Sequence, residues 1–159
     1  MSPRYVRTLI LEAWSDAPYP GDDAIAYDQS GGHLECAQVA EFFRGKRWKD
    51  VTLAALRSYR GDASACLAFM SPEAFRYYLP AYMLIALDDY AEADVIADSA
   101  LNMLTPGELR ESWNERAKGF SQRQREAILS FLNYLDTHHG ADYPVHGPKD
   151  ALRYWTSAV

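Results

Sequence analysis

The sequence predicts an all-α fold, a compact single-domain bundle of about six or seven helices. Three observations carry that expectation. Apolar residues recur at three- and four-residue spacing through most of the chain; helix-start chemistry stands at Ser71-Pro72-Glu73 and at Ser121-x-x-Gln124; and short breaks containing glycine or proline separate the periodic segments. With 159 residues, 48% of them hydrophobic and 24% charged, the chain can bury one core without disulfides or metals.

The elements follow in order. Val6, Leu9, Ile10, Ala13 and Trp14 lie at helical spacing and predict a first helix over about Arg4 to Trp14. Pro18, Pro20 and Gly21 end it, and a long polar loop runs on through Gly31 and Gly32. Leu34, Ala37, Val39, Ala40, Phe42 and Phe43 predict a second helix stopped by Gly45. Trp48, Val51, Leu53, Leu56 and Tyr59 suggest a third, ended by Gly61, although so short an apolar run does not separate helix from strand across Val51 to Leu53.

Ser71 supplies a capping hydroxyl, Pro72 needs no donor at the first helical position, and Glu73 faces the positive end of the dipole. The helix they start is expected to run to about Leu87, with Phe75, Tyr78, Leu79, Tyr82, Ile85 and Ala86 on one broad face and a kink at Pro80. Ala91 to Leu104 reads as one more helix, with Val95, Ile96, Leu101 and Leu104 inward and Asp94 and Asp98 outward. Thr105-x-x-Glu108 resembles a capping box ahead of Leu109, Trp113 and Ala117, and Gly119 closes that segment. Ala127, Ile128, Phe131, Leu132 and Leu135 form the strongest stripe, in a helix ending near Thr137 and Gly140. A last turn through Ala151, Leu152, Tyr154 and Trp155 is expected to pack on the body.

Charge excludes some functions and suggests another. Sixteen basic against 22 acidic residues leave a formal charge of −6, which argues against binding to nucleic acid. No Lys or Arg occurs between Arg7 and Arg44 or between Arg76 and Arg110, while acids crowd both intervals. Pairing with the basic segments elsewhere in the chain is the ordinary fate of such stretches; an acidic surface that steers a basic partner is the sharper one. No run of about eighteen apolar residues exists to cross a bilayer, and the start of the chain lacks the features of a secretory signal, so no membrane role and a cytoplasmic location are expected. Cys36 and Cys66 form no CxxC pair and are expected to be two buried thiols.

Sites for chemistry are weak. His138, His139, Asp142 and His146 are the best metal candidates, but Gly140 and Pro144 keep them off one helix. Asp88 and Glu92 stand four apart on an exposed helical end, Ser64, Cys66 and Ser71 lack the local context of a nucleophile, and Gly45-Lys46 lacks the rest of a phosphate loop. No catalytic residue, cofactor or metal is therefore assigned. The Tyr77-Tyr78-Leu79-Pro80 segment fits core packing better than a binding groove. Lys46, Arg47, Lys49 and Arg57 fit pairing with the acidic segments better than an anionic ligand.

The stretch from Phe69 to Tyr82, FMSPEAFRYYLPAY, resembles the signature of a family of small bacterial proteins of unknown function. Phe43, Gly45, Lys46 and Trp48 upstream and Gln124, Ala127, Ile128, Phe131 and Leu132 downstream fit the same resemblance. The resemblance implies no activity; immunity proteins, which neutralise a toxin by covering it, offer an analogy. The leading expectation is accordingly a protein that binds a basic domain, possessing the role of an immunity or inhibitor protein toward a toxin or effector. The expected contact residues are Tyr19, Asp22, Asp23, Tyr27 and Asp28 in the loop, and Asp88, Asp89, Tyr90, Glu92, Asp94 and Asp98 in the second acidic segment. A small enzyme whose groups converge only in three dimensions, or a structural subunit of a homo-oligomer, are the competing expectations.

Overall fold

The computed structural model describes residues 1–107 and 110–157. Among them are nine α-helices: α1 (Pro3–Ala13), α2 (Leu34–Phe43), α3 (Leu53–Arg57), α4 (Pro72–Asp88), α5 (Tyr90–Ala93), α6 (Ser99–Leu104), α7 (Arg110–Ala117), α8 (Gln122–His139) and α9 (Pro148–Ser157). Short 3-10 segments cover Trp48–Asp50, Ala63–Phe69, Asp94–Asp98 and Gly140–Asp142. The described residues contain no strand beyond an isolated antiparallel bridge between Ala26 and Met70, so the fold is all-α. Helices outnumber the expectation because the segment read as one helix over Ala91 to Leu104 is divided into α5 and α6 and the expected last turn is a helix, α9. Contacts group the chain into two units, Met1–Asp16 with Leu101–Val159, and Ala17–Ala100.

In the first unit α8 packs against α1 and α9. Ser2 caps α1, its hydroxyl accepting the Tyr5 N–H at 3.2 Å, and Val6, Ile10 and Trp14 are buried. Ser121 and Gln124 form the expected capping box, each side chain bonded to the other's backbone N–H, and the whole expected stripe of α8 is buried. The last element is a ten-residue helix rather than a turn. It brings Trp155 into an aromatic cluster with Trp113 and Phe120, at 6.3 and 5.7 Å between ring centroids. Two indoles finish α6: Trp113 Nε1 donates to the Met103 carbonyl at 2.9 Å and Trp155 Nε1 to the Leu104 carbonyl at 2.8 Å. Those carbonyls belong to the last turn, where helical partners run out. The expected cap at Thr105-x-x-Glu108, together with Leu109, involves residues outside the described ones.

In the second unit α4 is central and buried almost all round. The whole expected face is buried, and burial extends beyond it to Ala74, Tyr77, Ala81, Met83 and Leu87. Ser71 caps the helix as expected, and α4 runs unbroken through Pro80. The Tyr77 to Pro80 segment is core.

The third expected helix is divided because the Thr52 hydroxyl accepts the Ala55 N–H at 3.1 Å and starts α3 afresh. The helix expected over Ala91 to Leu104 is divided at Asp94, whose φ of +49° ends α5. The break shifts the helical phase, so Val95 is 56% exposed instead of buried and Ile96 only half-buried. A positive φ on a residue with a Cβ stores strain on the order of 1–3 kcal/mol. Asp94→Gly is expected to relieve it and, after the greater backbone entropy of glycine in the unfolded chain, to stabilise by about 1 kcal/mol. A rise in the thermal unfolding midpoint checks this; an unchanged or lower midpoint contradicts it.

Candidate functional site

The loop before α2 is held far more firmly than its composition predicts. Gln29 closes it with one side chain: Oε1 accepts the N–H groups of Ile25 and Ala26 at 2.7 and 3.0 Å, and Nε2 donates to the Asp22 carbonyl at 3.0 Å. Ile25 is fully buried. The Ser71 N–H donates to the Ile25 carbonyl, the Ser71 hydroxyl to the Ala24 carbonyl at 2.6 Å, and the Tyr27 N–H to the Phe69 carbonyl. The same serine that caps α4 thus fastens the loop to it.

These bonds place the expected contact residues. The Tyr19 hydroxyl donates to Asp22 at 2.5 Å and accepts the Gly45 N–H at 2.8 Å, while its ring meets Tyr77 edge-on. Burial and the bond to Asp22 push its phenol upward. Tyr19 is half-buried and ties the loop to the end of α2. Asp22 and Asp23 are exposed. Asp28 holds a tight turn, accepting from the Ser30 hydroxyl at 2.6 Å and the Ser30 N–H at 2.9 Å, and these bonds hold its carboxyl below the usual range.

In the second segment Asp88, Asp89, Glu92 and Asp94 are exposed, and Tyr90 and Asp98 are half-buried. Arg57 Nη2 donates to the Glu92 carbonyl at 2.9 Å. The two acidic stretches do not form one patch. Ala24 and Ile25 are bonded to the N-cap of α4, whereas Asp88 and Asp89 end it, and 17 residues at about 1.5 Å rise each separate them by roughly 25 Å.

Tyr27 is different: it is 52% exposed and belongs to a surface that sequence reasoning missed. His33 caps α2, its Nδ1 accepting the Cys36 N–H at 3.3 Å. Its Nε2 faces the Tyr27 hydroxyl at 3.1 Å, and the Glu35 carboxylate lies 3.4 Å from Nδ1. Tyr27, His33 and Phe69 form a ring cluster, with centroid distances of 5.6 Å for Tyr27–His33 and 6.5 Å for Tyr27–Phe69. Next to it Leu34 is 68% exposed. The buried side of α2 is Cys36, Val39, Ala40 and Phe43, so Leu34, Glu35, Ala37 and Glu41 point outward and Gln38 and Phe42 line the edge. The missed signal was phase: Leu34 falls outside the 36-39-40-43 stripe, and an apolar residue off the stripe is one that the fold leaves open.

Burial pushes the Cys66 thiol up to about 12, which makes it an inert core group beside Tyr59 and Tyr82. Cys36 and Cys66 are both free and buried. His139 lies 3.7 Å from Asp142 and His146 3.3 Å from Asp150, and among the described residues no three His, Cys, Asp or Glu side chains gather as a metal site. Nor is any helix among them long and apolar enough to cross a membrane.

A family model matches residues 23–159. The chain belongs to DUF6714, a family of unknown function. The DUF6714 match takes in Tyr27, α2, α4 and everything that follows, and begins after α1. No curated protein and no solved structure matches the chain.

Proposed function

We propose that this DUF6714 protein binds a basic protein domain through the surface made by Tyr27, Phe69 and the outward side of α2, and that it acts as an inhibitor of the immunity type by covering that domain. The observation that carries the reading is the pairing of exposed apolar groups with acid. Tyr27 and Leu34 are both more than half exposed, and Asp28, Glu35 and Glu41 lie around them. Exposed apolar residues held on rigid elements make binding anchors, because little ordering entropy is lost when a partner covers them. The surrounding acids speed encounter with a basic surface and reject an acidic one. The second acidic segment, at the far end of α4, contributes to long-range steering only.

The test is affinity capture at low and moderate salt with the wild-type chain and with Leu34→Asp, a substitution at an exposed site. The expected result is one stoichiometric basic partner whose association weakens with salt and whose binding falls by about 10- to 100-fold in the variant, the usual range for loss of an anchor. Co-expression with that partner then relieves its toxicity for the wild type and not for the variant. Equal binding by the variant would remove the surface from the reading.

A further inference from the structure

The outward side of α2 ends in a cavity of about 380 Å³, formed by Gln38, Glu41 and Phe42 of the helix and by Ser58, Tyr59 and Arg60 beyond α3. Its walls are set by the fold. Phe42 and Tyr59 meet edge to face, with centroids 5.1 Å apart and planes at 69°. Tyr59 lies back over Gly61 so closely that a Cβ there would stand 2.9 Å from the ring, so glycine at this position makes room for it. The other flank of Phe42 is occupied: Lys46 Nζ sits 4.2 Å from the ring centroid and donates to the Phe42 carbonyl. What remains is an aromatic pair beside the carboxylate of Glu41, the amide of Gln38 and the hydroxyl of Ser58. Glu41 is exposed and has no ion-pair partner among the described residues.

We propose that this cavity seats an arginine side chain of the basic partner. The inference rests on the binding role proposed above. A guanidinium is flat enough to stack on aromatic rings, presents a fork that matches a carboxylate, and has further N–H groups for the Gln38 and Ser58 oxygens. An ammonium offers a point charge without the stacking plane, and a carboxylate would face Glu41. Arg60, on the exposed rim, opposes the incoming cation and sets the discrimination between partners. On α2, Phe42 stands eight residues beyond Leu34, so about 12 Å separates the two seats. A partner must therefore offer an apolar anchor and an arginine at that spacing.

The probes are N-acetylarginine amide, its lysine counterpart and its glutamate counterpart, titrated into the full chain while backbone and ring resonances are followed by NMR. The expected result is saturable shifts at Gln38, Glu41, Phe42 and Tyr59 for the arginine probe alone. Its affinity should weaken about tenfold in Glu41→Gln, with the loss of a charge-assisted fork, and strengthen about two- to fivefold in Arg60→Ala, with the loss of a like charge near the surface. Absence of saturable shifts to high millimolar concentration, or a preference for the glutamate probe, would overturn the proposal. Both substitutions are at exposed sites, and far-UV circular dichroism verifies that each variant is folded. If the captured partner loses affinity in Leu34→Asp but not in Glu41→Gln, the arginine seat fails and the binding role stands; if Leu34→Asp has no effect, the binding role fails at its own surface.

Discussion

Trp155→Ala is expected to destabilise the chain by about 3–5 kcal/mol, the usual range for removing a large aromatic from a packed interior. Trp155 is 1% exposed and touches Trp113, Phe120 and Tyr154 through edge-on ring contacts. Its indole N–H also bonds the Leu104 carbonyl, where α6 ends in the buried interior. Two losses therefore combine: a cavity opens among the rings, and a carbonyl without a helical partner loses its donor. Trp155→Phe separates them. It retains most of the apolar volume and leaves the Leu104 carbonyl unsatisfied, for an expected loss of about 1–3 kcal/mol. Urea titration followed by far-UV circular dichroism checks the order wild type, Phe, Ala. Equal midpoints for the Phe variant and the wild type would show that the indole bond contributes nothing net.

Tyr78→Ala is the second large effect, again about 3–5 kcal/mol from the loss of a fully buried ring. The residue joins α4 to the end of α2. Its ring lies 4.8 Å from Phe43, and its hydroxyl stands 2.7 Å from the Lys46 carbonyl and 3.1 Å from that of Phe43, sharing one proton between them. Gly45, with φ +72°, turns the chain so that both carbonyls face this hydroxyl. Burial drives the phenol well above its ordinary range, so it remains a donor. Tyr78→Phe keeps the ring and is expected to lose about 1–3 kcal/mol through the orphaned Lys46 carbonyl, while that of Phe43 still accepts the Lys46 N–H. Lys46, which covers one flank of Phe42, follows this turn directly, so the Phe variant is also expected to speed amide exchange around Gly45 and Lys46. Unchanged exchange there would show that the turn holds without its buried hydroxyl.

The effects of these two residues come from partners that no local pattern announces, and the same divide runs through the fold. Start and stop chemistry was legible. Ser71 with Pro72, Ser121 with Gln124, and Gly45 act within a few residues of themselves, and α4 and α8 begin, and α2 ends, close to where those signals stand. A capping hydroxyl needs only the N–H groups of its own helix, so its effect is written in sequence neighbours.

The surface was not legible in that way. Tyr19 and Tyr27 look equivalent in the sequence, two tyrosines in one polar loop. Gly45 takes up the hydroxyl of the first from 26 positions away, while the second stands open over Phe69. The acidic stretches looked like one charged face until α4 set them at its two ends. Asp94 carries no residue type that forecasts a helix break, and its positive φ appears only in the folded chain.

By itself, then, the sequence determined the all-α class, the principal helices, the caps of α4 and α8 and the acidity of two segments, because those depend on neighbours within a turn or two. The tertiary structure decided which of Tyr19 and Tyr27 is open, that α4 is buried almost all round, and that Phe42 at the edge of α2 meets Tyr59. Those outcomes depend on side chains that meet across many residues of intervening chain, and an apolar residue is buried only if a distant one arrives to cover it.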